Sequence, residues 1–246
     1  MFRNCDAESI KVKQCSMEYI NVDDICTTWS GNEILKQACQ SGNMHIVKKQ
    51  ISTTVSNIYL KHACQGGNRD VVEMIMERGA NNWHFGFIGS CFGGNLDIVH
   101  LMIEKGADDW DRGLECACVG GHLDIIDLMI ERGANNWDRG LEGACEGGHI
   151  DMAMLMIERG ANNWNGGLEH ACQGGHVDLV EMMIERGAND WDNGLRGACF
   201  GGYCTIVNVI LDHADVNNLD DWDVYRQIAQ TNKHLDVVDL LFAREA

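Results

Sequence analysis

The sequence predicts an all-α solenoid of about eight stacked helix pairs, and three observations lead to this prediction. One cysteine position recurs along most of the chain, with one spacing of 25 residues and then five spacings of 27. A tryptophan precedes five of these cysteines by eight residues. Each unit also contains two short segments with helical apolar spacing, separated by a glycine pair. Such a unit is too small to bury its apolar face alone, so the units must stack.

The first helix of each unit is predicted to begin near the tryptophan and to end at the glycine pair. Leu114, Ala117 and Cys118 show the i, i+3, i+4 spacing of one buried face. The glycine pair at 120–121 predicts the helix end, because glycine readily adopts the left-handed conformation of a C-cap. The residue after each tryptophan is predicted to be the N-cap, since its side chain can accept bonds from free N–H groups. These residues are Asp111, Asp138, Asn165 and Asp192.

The second helix of each unit follows the glycine pair, as in HLDIIDLMIERGA at 122–134. Its broad apolar surface is typical of a helix packed between neighbours. Gly133 is predicted to end this helix. Asp124, Asp127 and Glu131 share one outer face and recur in other units as an acidic column. The column is either a solvated face that keeps the array soluble or a docking stripe for a basic partner.

The two ends of the chain depart from the repeat pattern. Residues 1–30 are predicted to be an N-terminal cap or leader segment, with a recruitment motif as the alternative to a cap. Residues 31–246 form the predicted array, whose last unit starts at Trp222 and caps the C-terminal end. The spacing from Ala198 to Ala229 is 31 residues, so we expect a longer connection at HADVNNLDDW.

The charge of the chain restricts its partners. The net charge is −18, and because residues 1–62 carry +1, the remainder carries −19. So acidic a chain repels a phosphate backbone, which excludes a nucleic-acid-binding role and favours a protein partner with a basic surface. No apolar run reaches the roughly 18 residues that span a bilayer. We therefore expect no membrane association and a cytoplasmic location, with the nucleus left open.

The twelve cysteines are predicted to be reduced rather than paired. Equivalent positions in stacked helices lie roughly 8–10 Å apart. A disulfide needs a Cα separation below about 7 Å, so a column of equivalent cysteines cannot pair along itself. We expect small, buried thiols. The recurring positions are Cys39, Cys64, Cys91, Cys118, Cys145, Cys172 and Cys199.

The segment GLECACVGGHLDIIDLMIERGANN at 113–136 resembles the ankyrin repeat pattern TPLHxAAxxGHxxxVxxLLxxGAxxN. Leucine, alanine, Gly-His, the apolar second helix and Gly-Ala occur in the same order. The resemblance covers about 31–246, and it implies that the first helices line a concave, protein-binding groove. In style the chain is similar to ankyrin proteins of large DNA viruses of amoebae, which implies a host protein as partner and the host cytoplasm as location.

The chain departs from that family between Gly-Ala and Gly-Leu. An ankyrin repeat has about 33 residues, and the resemblance places a projecting β-hairpin finger in this segment. Only NNWDR remains at 135–139, so we expect the finger to be shortened or absent and replaced by a tight turn. The tryptophan is expected to pack across neighbouring units, because it recurs unchanged whereas a specificity residue would vary.

No group of residues predicts an enzyme, a cofactor or a metal site. Cys116 and Cys118 form a close pair, but no second pair lies nearby to complete a structural zinc site. Phosphate-binding glycine motifs and catalytic motifs do not occur. The histidines of the Gly-His position are expected to bond backbone groups in the loop between helices, as the resemblance implies. They are His122, His149, His176 and His234.

Recognition is expected at the positions that vary within the repeat pattern. Three of these follow the tryptophan position by two, five and nine residues, and they share one face of the first helix. In the third unit they are Phe85, Ile88 and Phe92. We hypothesise that these side chains anchor a protein partner in the groove, the alternative being a locally repacked interface between units. The other predicted contacts are Ile58, Gln65, Arg112, Glu115, Val119 and Phe200.

The predicted function is thus a non-enzymatic scaffold for protein–protein interaction. Self-assembly is the alternative, in which the same surface joins copies of the chain into a homodimer or a filament.

Overall fold

The computed structural model describes residues 31–51, 56–214, 219 and 222–245. Within these residues the chain forms sixteen helices and no β-strand, as the all-α prediction requires. None of these helices has the length and apolar character needed to cross a membrane. The predictions made for residues 1–30, and for most of the longer connection after Ala214, lie outside the described residues.

The helices alternate as eight pairs, one pair for each predicted unit. The first helices are α1 (Gly31–Gln40), α3 (Asn57–Gly66), α5 (Trp83–Gly93), α7 (Trp110–Gly120), α9 (Trp137–Gly147), α11 (Trp164–Gly174), α13 (Trp191–Gly201) and α15 (Trp222–Thr231). The second helices are α2 (Met44–Gln50), α4 (Arg69–Glu77), α6 (Leu96–Glu104), α8 (Leu123–Glu131), α10 (Ile150–Arg159), α12 (Val177–Glu185), α14 (Cys204–His213) and α16 (Leu235–Glu245).

The first helices form the tightly packed layer of the solenoid. Each contacts its own second helix and the first helices of adjacent units, whereas successive second helices contact one another much less. The close approach involves backbone: a Cβ atom added at Gly89 would lie 2.2 Å from the Lys61 carbonyl oxygen, and one at Gly143 would lie 2.5 Å from that of Glu115. The exposed face of this closely spaced layer is called the groove below, and it carries the positions that follow the tryptophan position by two, five and nine residues.

The core is a continuous column of small and medium apolar side chains from both helices of every unit. Leu114, Ala117 and Cys118 are buried, as their spacing predicts. The seven recurring cysteines are buried, as predicted, and none of them is paired in the structure. Desolvation by burial raises the pKa of the Cys145 thiol to about 12, so the neutral form is strongly favoured.

The predicted glycine helix ends are confirmed. Gly121, with φ of 75°, caps α7, and Gly133, with φ of 103°, follows α8. This left-handed conformation is strained for residues with a Cβ atom, which explains why glycine returns at both positions in most units. In the last unit Lys233 adopts it with φ of 67°.

The predicted N-caps of the first helices are wrong by two residues. The caps lie just before each tryptophan, at Asp109, Asn136, Asn163 and Asp190. The residue after the tryptophan instead reaches into the next unit. Asp138 Oδ1 accepts hydrogen bonds from the backbone N–H groups of Asn162 at 2.7 Å and Asn163 at 2.9 Å. Asp111 and Asn165 form the same bridge to their following units, whereas Asp192 accepts a bond from the Tyr225 hydroxyl.

This bridge is expected to stabilise the turn that replaces the finger. Asp138→Ala leaves two N–H groups without a protein acceptor and should lower the free energy of unfolding by about 1–3 kcal/mol. Asp138→Asn keeps an acceptor oxygen, as Asn165 does for Asn189 and Asp190, and should cost less than about 1 kcal/mol. Urea unfolding followed by circular dichroism measures both. Equal losses would show that the charge, rather than the acceptor oxygen, is what matters.

Candidate protein-interaction surface

Helix α5 presents the apolar patch, which consists of Phe85, Ile88 and Phe92, in the groove. The exposed fractions of Phe85 and Phe92 are 41% and 39%, and Ile88 is half-buried against the core. Both ends of the helix are held by side chains. Asn82 Oδ1 accepts a bond from the Phe85 backbone N–H at 3.2 Å, and His122 Nε2 donates to the Phe92 carbonyl at 3.1 Å. The patch therefore sits on a well-anchored helix.

The interface between the third and fourth units is filled by a different side chain. Phe87 occupies the position at which the next four units have leucine, and it is fully buried. Its ring meets the edge of Trp110 with centroids 5.9 Å apart. The packing between these units thus uses Phe87, while Phe85 and Phe92 keep large exposed fractions on the other side of the helix.

The predicted contacts on α3 and α7 flank the patch on the neighbouring first helices. On the α3 side, Ile58 and Gln65 are half-buried. On the α7 side lie exposed Arg112, half-buried Val119 and Glu115. Glu115 Oε2 lies 2.8 Å from an Arg139 nitrogen and 3.8 Å from one of Arg112. This oxygen is buried and has no partner with hydrogen-bond geometry, so charge attraction alone holds the group together.

Phe200 is not brought to this patch. It lies on α13, four units further along the groove, with an exposed fraction of 51%. Phe92 and Phe200 occupy the same position of their units, and equivalent positions in an array are separated by the stacking distance. The predicted contacts thus divide into a cluster on α3, α5 and α7 and a separate aromatic side chain near the C-terminal end.

Three groove carboxylates were not among the predicted contacts. Glu142, Glu146 and Glu169 occupy groove-facing positions of the fifth and sixth units and are half-buried. No ion pair to any of them is found among the described residues. The register that identified the apolar patch also marks these positions, but their lack of basic partners is visible only in three dimensions.

The recurring tryptophans pack at the turns and are half-buried. Trp110 is half-buried, with Phe87 of the preceding unit at its edge and the Arg132 guanidinium 5.7 Å from its ring centroid. Trp137 and Arg159 repeat that arrangement at 5.7 Å. A cation over an indole ring is stabilising. The contact of Trp110 with Phe87 crosses units, as expected, whereas both arginine contacts lie within one unit.

The histidines of the Gly-His position join successive units through backbone. His149 Nε2 donates to the Val119 carbonyl, and His176 Nε2 donates to the Glu146 carbonyl, both at 3.1 Å. The expected backbone role is thus found, with an acceptor in the preceding unit rather than in the loop between helices. Burial lowers the pKa of His176, which favours the neutral ring. In the described part of the chain, no three or more His, Cys, Asp or Glu residues are grouped so that they could hold a metal ion.

Comparisons with known proteins give no assignment for this chain. No family model matches it, and no curated protein shows significant similarity to it. Any functional conclusion therefore depends on the surface of the molecule itself.

Proposed function

We propose that the chain is an ankyrin-type array with shortened connections, and that it binds a protein partner through its concave face. The observation that carries this proposal is the exposure of Phe85 and Phe92 on a helix whose core position is already filled by Phe87. The repeat order of leucine, alanine, Gly-His and Gly-Ala supports the ankyrin-type assignment. The absence of strands from the described residues fits a trimmed finger.

The patch has the composition of an anchoring site. Aromatic side chains with a polar rim are typical of interface hot spots. Covering the exposed part of each phenylalanine would contribute on the order of 1–2 kcal/mol from apolar burial. Gln65 on one side and Arg112 with Glu115 on the other supply the polar rim. Binding, rather than catalysis, is the function that such a surface supports.

The net charge favours a heterologous partner over self-assembly. A chain of net charge −18 repels its own copies, which opposes a homodimer or a filament built through the same patch. The similarity in style to ankyrin proteins of amoebal viruses extends the proposal to a host protein as that partner.

The proposal predicts that the double variant Phe85→Ser/Phe92→Ser loses its partner while remaining folded. Leu123→Ser is the matched control, because Leu123 is also exposed but lies at the start of a second helix. Quantitative affinity capture compares the wild type with both variants, and melting temperatures check folding. We expect the proteins recovered by the wild type and by the control to be absent from the double variant.

Two results would contradict this proposal. One is recovery of the same partner proteins by the wild type, by the Leu123→Ser control and by the double variant. The other is a loss of several kcal/mol in the double variant, which is typical of core truncation and would make the patch an interface between units. Sedimentation of the wild type tests self-assembly: an oligomer that the double variant reduces to a monomer would favour the alternative.

A further inference from the structure

The groove has two aromatic anchors with an acidic stretch between them. We propose that it binds an extended, basic segment of the protein partner, whose apolar residues at either end contact Phe92 and Phe200. This inference rests on the proposed function and adds the chemistry of the partner to it.

The two anchors are equivalent positions of the array. Phe92 and Phe200 are each the last residue but one of a first helix, α5 and α13. The carbonyl of each accepts a bond at 3.1 Å from the histidine of the following unit, His122 or His234. Their exposed fractions are 39% and 51%. Four steps of roughly 8–10 Å place them roughly 30–40 Å apart along the groove.

The negative charge of the stretch between the anchors is concentrated in its middle. Arg112 and Arg139 both turn towards Glu115, at 3.8 Å and 2.8 Å, so these three residues together carry a net charge of +1 next to Phe92. The three groove carboxylates form no ion pair with a basic side chain among the described residues. Glu142 accepts one bond from the Asn163 amide at 2.8 Å. Glu146 and Glu169 are the other two groove carboxylates.

The position of these carboxylates strengthens their attraction for a cation. They are half-buried, where the lower effective dielectric constant increases a charge interaction relative to that in water. The basic groove residues Lys36 and Lys61 lie on the opposite side of Phe92, towards the N-terminal end. Arg196, which precedes Phe200 by one turn, is placed 5.7 Å from the Tyr225 ring of the last unit. The basic part of a ligand is therefore favoured between the two anchors.

The distance between the anchors favours an extended ligand. An extended chain rises about 3.3 Å per residue, so roughly ten residues span the stretch. A helix rises about 1.5 Å per residue and would need more than twenty. Each step between units then corresponds to about three extended residues.

A displayed library of random sixteen-residue peptides, selected on the purified full chain, tests this inference. We expect selected peptides to be rich in Lys and Arg, with apolar residues near both ends. Synthetic versions should bind at least tenfold more weakly to Phe200→Ser. They should lose a similar factor on Glu142→Gln/Glu146→Gln/Glu169→Gln, and their affinity should fall as salt is raised.

The matched control removes three negative charges from the outer face, through Asp124→Asn/Asp127→Asn/Glu131→Gln on α8. These residues are exposed on a second helix. The control should leave peptide affinity within about twofold of the wild type, because exposed charges beyond a Debye length of about 10 Å are screened. Equal losses in the two triple variants would show that net charge, rather than the groove, attracts the peptides, and would overturn the inference.

The remaining outcomes separate this inference from the proposed function. Peptides that lose affinity on Phe92→Ser, keep it on Phe200→Ser and show no excess of basic residues would overturn the inference and leave the proposed function standing. Peptides that bind Phe92→Ser as tightly as the wild type would overturn both. A library that yields no binder would overturn the inference alone, because the proposed function does not require a linear segment. Melting temperatures of all variants verify that each is folded.

Discussion

Gly147→Ala is expected to destabilise the array by about 2–4 kcal/mol, the range of severe overpacking in a protein interior. A Cβ atom at Gly147 would lie 2.2 Å from the Val119 carbonyl oxygen and 2.7 Å from the His149 ring. The same carbonyl accepts the bond from His149 Nε2, so the new methyl group would also disturb that bond. Backbone cannot rotate away as a side chain can, and the two units must therefore separate.

Gly194→Ala is the control, because it makes the same chemical change within a first helix. Its Cβ atom would meet only side chains, the ends of Ile210 at 3.3 Å and Leu168 at 3.5 Å, and both can move. Alanine is favoured over glycine in a helix by about 0.5–1 kcal/mol, so this variant should be as stable as the wild type or slightly more stable. Urea unfolding gives both free energies. Shifts of the same sign and size would show that close approach of the helices is not what requires glycine at 147.

The recurring cysteines are expected to be almost inert towards alkylating reagents in the folded protein. Burial raises the pKa of Cys145 to about 12, so at pH 8 only about one thiol in ten thousand is the reactive thiolate. A free cysteine, with a pKa near 8.5, is about one-quarter ionised at that pH. We therefore expect Cys145 to react at least about a thousandfold more slowly than a free thiol.

Pulsed alkylation with mass spectrometry measures this rate at each cysteine. The same protein in urea is the control, since every thiol is then accessible and has an ordinary pKa. Equal rates for Cys145 in the folded and unfolded protein would contradict the burial of the cysteine column. Cys64 and Cys118 are equally buried, and desolvation raises the pKa of both to about 12, so they should behave alike.

The repeat pattern was sufficient to predict the helix pairs but not the side chains that join them. Periodicity and glycine pairs locate the helices, because both reflect local backbone conformation. Two hydrogen-bonding side chains flank most of the tryptophans, however, and the pattern cannot tell which one caps its own helix. Asp109 caps α7 whereas Asp111 bonds to the next unit, a difference that depends on the path of the chain between units.

The candidate surface was predictable to a similar extent. The apolar patch follows from the sequence, because large apolar residues stand at groove-facing positions that are polar in most other units. The groove carboxylates require the structure. Arg112 and Arg139 both pair with Glu115, and this choice of partner leaves Glu142 and Glu146 without an ion pair among the described residues. From spacing along the chain, Phe200 was also predicted to belong to these contacts. In the structure four units separate it from the apolar patch.

The bridge from Asp138 to the next unit gives the array a direction of growth. The acceptor belongs to the earlier unit, and the two N–H groups that it satisfies belong to the later one. As the chain leaves the ribosome, each completed unit therefore offers a ready template on which its successor can dock. The two ends of a truncated array would therefore offer different groups to a docking segment, carboxylates at the C-terminal end and pairs of backbone N–H groups at the N-terminal end.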